Sequence, residues 1–128
     1  MKKACLCGSG KSYASCCQSF HQGKDKPPTA ESLMRSRYAA FALGLSDYLS
    51  KTWCPITSPG DLQLESEMQW IKLSVLNSEK GGLVDQDGRV EFKAHYRYQG
   101  QDGYLHEISR FIRNEMGEWC YLDGKILN

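Results

Sequence analysis

The chain predicts an α+β fold, in which a small cysteine-rich knuckle precedes two or three helices and then a meander of long antiparallel strands. Three observations carry this reading. Four of the six cysteines fall within the thirteen residues from Cys5 to Cys17. An apolar stripe, Leu33, Met34, Tyr38, Phe41 and Leu45, recurs at three- and four-residue steps. From Arg89 to Gln99 apolar and polar residues alternate strictly, the pattern of a strand with one buried face.

The cysteines come as C-x-C, eight intervening residues, then C-C. A metal such as zinc takes four thiolates in a tetrahedron at about 2.3 Å, and two close pairs joined by a tight turn supply that. Gly8-Ser9-Gly10 provides the turn, and Tyr13 can fold back as an apolar lid. So short a segment cannot bury a core of its own, and metal binding would supply its folding energy. Both spacings are poor for local disulfides. Gly8-Ser9-Gly10-Lys11-Ser12 matches the end of a phosphate-binding loop, but Cys5 stands where that pattern needs its first glycine and no apolar strand precedes it. Lys11 therefore reads as part of a basic surface.

Residues 18–28 are polar and end in Pro27-Pro28, a linker that holds off helix until Thr29. Phe20 either anchors the knuckle to the rest of the chain or closes the knuckle's own core. Thr29 is a good N-cap, with Glu31 favourable in the first turn, and a helix is expected to about Leu43. Arg35 should face solvent, whereas Arg37 borders the stripe at i+4 from Leu33. Gly44 and Ser46-Asp47 mark a break and a new cap, and a short helix from Tyr48 to Trp53 ends at Pro55. Asp61 is placed to cap a third short helix through about Met68.

The β-rich run from Gln69 to Asn77 reads as a strand, broken by Gly81-Gly82. Asp87-Gly88 is a turn signal. On the strand Arg89 to Gln99, Val90, Phe92, Ala94, Tyr96 and Tyr98 share the buried face. Residues 100–103 turn the chain into Tyr104 to Arg113, residues 114–117 turn it again, and Glu118 to Leu122 is the last strand, closed by Asp123-Gly124.

The chain has 128 residues, 41% of them hydrophobic, enough for one small domain beside the knuckle. No run approaches the ~20 apolar residues of a membrane span, and Met1-Lys2-Lys3 leads straight into the cysteines without an apolar leader. A cytoplasmic, thiol-reducing location is therefore expected, with Cys54 and Cys120 as small buried or half-buried free cysteines. Net charge is +1. Residues 1–28 hold five lysines against Asp25 alone, and four thiolates on a divalent metal would lower their excess. The remaining bias toward an acidic partner surface is mild and far from the basic stripe of a nucleic-acid binder.

Residues 5–17 resemble the SEC-C motif, C-x-C-G-S-G-K-x-[YF]-x-x-C-[CH], at every fixed position. The resemblance implies one structural Zn²⁺ held by Cys5, Cys7, Cys16 and Cys17, with His21 a rival for the fourth place. The order of the later elements, and the ending Phe111 to Gly124 with Trp119, resemble the nuclear-transport-factor-2-like (cystatin-like) cone, a curved antiparallel sheet wrapped around N-terminal helices. Leu33 to Phe41, Thr52-Trp53 and His106 to Phe111 together resemble one uncharacterised bacterial family that joins the two modules. This divides the chain into a knuckle at 1–22, a linker at 23–28 and a cone domain at 29–128. Many members of that family carry a second SEC-C motif at the C-terminus, whereas these 128 residues hold the motif once, at residues 5–17.

Cones of this kind often hold a pocket, and Tyr38, His95, Tyr96, His106, Glu107 and Arg110 are its candidate residues here. Alternation puts Leu105, Glu107, Ser109 and Phe111 on one face of their strand and His106, Ile108 and Arg110 on the other. The structural alternatives are that Glu107 pairs with Arg35 or Arg37 to hold helix to sheet, and that His106 is merely exposed. No G-x-S-x-G or H-E-x-x-H occurs, since Ile108-Ser109-Arg110 follows His106-Glu107. The reading leans away from an enzyme and toward a protein-binding adaptor that uses the zinc knuckle. A small-molecule isomerase, cyclase or hydrolase working in the cone is the alternative.

Overall fold

The computed structural model describes residues 3–60, 62, 64 and 67–128. Among these, helices α1 (Cys17–His21), α2 (Ala30–Leu43) and α3 (Ser46–Lys51) precede strands β1 (Met68–Lys80), β2 (Asp87–Tyr98), β3 (Gln101–Arg113) and β4 (Trp119–Ile126). The strands form one antiparallel sheet in the order β1-β2-β3-β4. Irregularities in pairing at Trp70/Lys72, Val75/Asn77 and Arg110/Phe111 add local twist. The α+β cone expected from the sequence is the fold observed.

Helix α2 is the centre of the molecule because three of its sides are covered. Leu33, Met34 and Tyr38 pack on the sheet with Leu73, Val90, Phe92 and Phe111. Ala39 packs on the cysteines, and Ala40 on Tyr48 and Leu49 of α3, where half-buried Phe20 anchors the knuckle. Thr29 and Ser32 form a reciprocal capping box, and Gly44 ends the helix in the left-handed conformation. The helix start is tied to the sheet twice. Ala30 N–H donates to Gly81 O at 2.9 Å, and Trp119 Nε1–H donates to Pro28 O at 3.1 Å.

Several boundaries differ from the sequence reading. Residues 18–21 of the expected linker belong to α1, and α3 starts two residues early at Ser46. Asp87-Gly88 is no turn but the start of β2. The connection lies at 81–86, held by the Arg113 side chain, which donates to Asp85 O and Leu83 O at 2.7 and 2.9 Å. Gly88 is needed for close approach, since a Cβ there would lie 2.5 Å from Gly81 Cα and 3.2 Å from Ala30 Cβ. The β2–β3 turn is the pair Gln99-Gly100, with φ 51° and 79°, rather than residues 100–103. Two positive φ values match the twist of a two-residue hairpin, so β3 begins at Gln101. Strand β4 continues through Asp123-Gly124 to Ile126. Of the helix expected from Asp61 to about Met68, residues 61, 63, 65 and 66 lie outside those described, and Met68 is the first residue of β1.

Cys54 and Cys120 are not separate thiols but a disulfide across 66 residues of sequence, with Cα atoms 5.0 Å apart. The bond fastens the segment after α3 to β4, where Cys54 N–H donates to Tyr121 O and Tyr121 N–H to Thr52 O, each at 2.8 Å. No helix among the described residues is long and apolar enough to cross a membrane.

Candidate functional site

The first site is the cysteine cluster. Cys5 and Cys7 sit on a loop closed by Cys5 N–H to Lys11 O at 2.8 Å and Tyr13 N–H to Lys3 O at 2.9 Å. Ser12 caps the single 3₁₀ turn Tyr13–Ser15, which delivers Cys16 and the first residue of α1, Cys17. The four Sγ atoms lie within 4.8 Å of one another. Cys7 and Cys16 are 3.6 Å apart at sulfur, and Cys16 and Cys17 3.9 Å. Four thiolates around one ion at about 2.3 Å stand about 3.8 Å apart, so the cluster fits a tetrahedral metal. It is closed, with no position left over for a substrate. Cys5, Cys7 and Cys17 are buried. The neighbouring Cys17 thiol lowers the Cys7 pKa, while the same neighbour and burial raise that of Cys17.

Neighbouring groups hold the loop in place. Arg35 was expected to face solvent. Instead its Nη1 donates to Cys7 O at 2.6 Å while Nε pairs with Glu31 at 3.0 Å. His21 is not part of the cluster, because both ring nitrogens are engaged elsewhere. Nε2–H donates to Ser36 O at 2.8 Å, which leaves Nδ1 to accept from Tyr13 O–H at 2.7 Å. Burial lowers the His21 pKa, in keeping with a neutral ring in that relay.

The second site is a cavity of about 220 Å³ between α2 and the sheet. Met34, Phe41, Trp70, Phe92, Ala94 and Leu105 make its apolar wall. Arg37, Tyr38, Trp53, Glu107, Ser109 and Tyr121, whose side chains carry polar groups, are also in the lining. Arg37 is 5% exposed and Glu107 9%. The Arg37 guanidinium lies against two rings, Cζ 4.7 Å from the Tyr121 centroid and 5.3 Å from that of Trp53. Its Nη1 donates to Leu49 O and Thr52 Oγ1 at 2.8 and 2.7 Å. Burial lowers its pKa to about 10, against the support of Tyr121, Tyr48 and Glu107. Burial also raises Tyr38 and Tyr121 to about 12. Ser109 O–H donates to the Glu107 carboxylate. Among the described residues Glu107 forms an ion pair with neither Arg35 nor Arg37, so the expected helix-to-sheet salt bridge is not made. Trp53 Nε1 is the one buried side-chain nitrogen or oxygen without a hydrogen-bond partner among the described residues.

Of the residues read from the sequence as pocket candidates, Tyr38 and Glu107 line this cavity. Tyr96 lies on the same sheet face but packs on Trp70, with ring centroids 5.8 Å apart, and is not in the lining. His95, His106 and Arg110 are on the opposite face. His95 stacks near Tyr104, His106 Nε2 meets Glu91 at 2.7 Å, and exposed Arg110 binds Asp123. The sequence reading did not place Arg37, Trp53, Ser109 or Tyr121 in the pocket. Arg37 had a signal in its i+4 spacing from Leu33, and Ser109 in its alternation with Glu107. Trp53 and Tyr121 had none, because a loop and a distant strand bring them together.

The profile described as "YchJ, middle NTF2-like domain" matches residues 29–124, and that of the SEC-C motif matches residues 1–19. A UPF0225 protein of Streptomyces coelicolor is 46% identical over 97% of this chain and 96% of its own length. One from Deinococcus radiodurans is 45% identical over 95% and 88%. The solution structure of a SEC-C motif containing protein from Rhodopseudomonas palustris superposes with a TM-score of 0.84 at 33% identity, covering 97% of this chain and 98% of that one. A crystal structure of a SEC-C motif containing protein from Psychrobacter arcticus gives 0.77 at 28%, covering 97% and 82%.

Proposed function

We propose that this chain, which belongs to the bacterial UPF0225 family of SEC-C proteins with a YchJ-type NTF2-like domain, is a zinc-binding adaptor of the cytoplasm. One structural Zn²⁺ is held by Cys5, Cys7, Cys16 and Cys17, and the outer face of the knuckle engages a protein partner. The observation that carries this reading is the convergence of four sulfurs within 4.8 Å, a closed set suited to structure rather than catalysis. Leu6, 47% exposed, and exposed Lys11 offer an apolar and a cationic contact on the loop whose thiolates point inward, which suits an acidic protein surface.

Metal analysis of protein purified without added zinc should give one zinc per chain, and Cys5→Ser should lose it. A chain free of metal under those conditions overturns the zinc site. Crosslinking in cells should yield a partner that Leu6→Glu with Lys11→Glu loses while zinc content stays at one. An unchanged crosslink pattern in that variant overturns the adaptor.

A second reading is favoured by the cavity. Two buried charged side chains, Arg37 and Glu107, line an otherwise mostly apolar space without pairing to each other, as in a site that orients a small molecule.

A further inference from the structure

Resting on that second reading, we propose that the cavity takes a neutral, mostly apolar molecule that carries a primary or secondary carboxamide. Its carbonyl oxygen would accept from Arg37 and its N–H would donate to Glu107.

The argument starts from what each side chain has left to offer. Leu49 O and Thr52 Oγ1 are the hydrogen-bond acceptors Arg37 uses among the described residues, both through Nη1. Nε and Nη2 remain as donors on a side chain that belongs to the cavity lining. Glu107 receives one hydrogen bond among the described residues, from Ser109 to Oε2, so Oε1 remains as an acceptor. The cavity therefore presents an unused donor and an unused acceptor against a mostly apolar wall. A ligand head with one acceptor and one donor side by side answers both, and a carboxamide is the simplest such group.

Charge selects the neutral form. The formal charges of Arg37 and Glu107 cancel, and an anionic ligand would leave a net negative charge in an apolar space, which is costly. Size selects the body. An apolar cavity of about 150 Å³ holds benzene, so one of about 220 Å³ suits about nine non-hydrogen atoms. Trp70 and Phe41, with ring centroids 6.3 Å apart, give the body aromatic walls.

The test is a titration of the ¹⁵N-labelled full chain, followed by two-dimensional NMR, with three probes of nine non-hydrogen atoms each: benzamide, acetophenone and benzoate. Benzamide should shift the signals of Tyr38, Leu105 and Phe111 and bind at least about tenfold more tightly than acetophenone, which lacks the donor. Benzoate should also bind at least about tenfold more weakly. Ala94→Leu, which fills the cavity, should abolish binding while keeping the dispersed spectrum of a folded chain. Leu105→Phe fills the same space from another strand if Ala94→Leu does not fold. Equal binding of benzamide and acetophenone, or a preference for benzoate, overturns the carboxamide and leaves the ligand cavity standing. Shifts that persist in the filled variants, or no shift at cavity residues with any probe, overturn both.

Discussion

Arg35 reaches from the middle of α2 to the carbonyl oxygen of Cys7, 2.6 Å away, so the central helix of the cone grips the cysteine-bearing loop directly. The knuckle is thereby part of the α2 surface rather than a loose appendage. Arg35→Ala should remove a charge-assisted hydrogen bond worth about 1.5–3 kcal/mol, along with an exposed i,i+4 pair to Glu31 worth much less. The loss should fall on the knuckle. Hydrogen exchange should show faster opening of residues 5–17, while amides of β2 and β3 stay protected. Unchanged exchange at the knuckle would mean that the Arg35 bond does not hold it.

The disulfide changes the thiol count. Of six cysteines, four should react with a thiol reagent after denaturation under chelator without reductant, because Cys54 and Cys120 are joined. A count of six would mean that the bond is open in the isolated protein. The loop-closure estimate for a bond spanning 66 residues is about 4 kcal/mol. Cys54→Ala with Cys120→Ala should lower stability by about that much in urea unfolding.

Buried phenols set the alkaline limit. Burial raises Tyr38, Tyr48 and Tyr121 to about 12, whereas in the unfolded chain a phenol titrates near 10. Between these values the unfolded chain releases protons that the folded chain keeps. Stability is therefore full below pH 10 and declines as pH rises toward 12. Absorbance titration should find the phenolate signal of Tyr38, Tyr48 and Tyr121 still missing at pH 11. The missing three should ionise together when the chain unfolds.

Gly88→Ala tests the contact between hairpin and helix. The added Cβ meets backbone, Gly81 Cα at 2.5 Å and Gly81 N at 2.7 Å, and neither can swing away as a side chain would. Separating the two segments would also strain the Ala30 N–H bond to Gly81 O. A loss of about 1–3 kcal/mol is expected, read as a lower urea midpoint at unchanged slope. Gly82→Ala, whose nearest atom is an Asp85 carboxylate oxygen at 3.3 Å, should cost less.

What could be read from the chain by itself follows a rule of distance. The cysteine cluster was legible because its four thiols lie in one short stretch, where C-x-C, the Gly8 to Gly10 turn and C-C set the approach of the sulfurs locally. The stripe of α2 and the alternation of β2 were legible because period alone fixes which face is buried. Glu107 and Ser109 could be put on one shared face of β3 for the same reason. Tertiary structure decided the rest. Cys54 and Cys120 look like isolated thiols until the segment after α3 is laid beside β4. The same juxtaposition brings Trp53 and Tyr121 around Arg37 and makes a cavity wall from residues that no local spacing connects. Periodicity gave both faces of β3 a mixture of polar and apolar residues. Only the packing of α2 showed that His106 and Arg110 look outward to Glu91 and Asp123 while Glu107 is enclosed. Local geometry is set by covalent neighbours and period, but pairing across the chain depends on which buried surfaces satisfy one another once the sheet has closed over the helix.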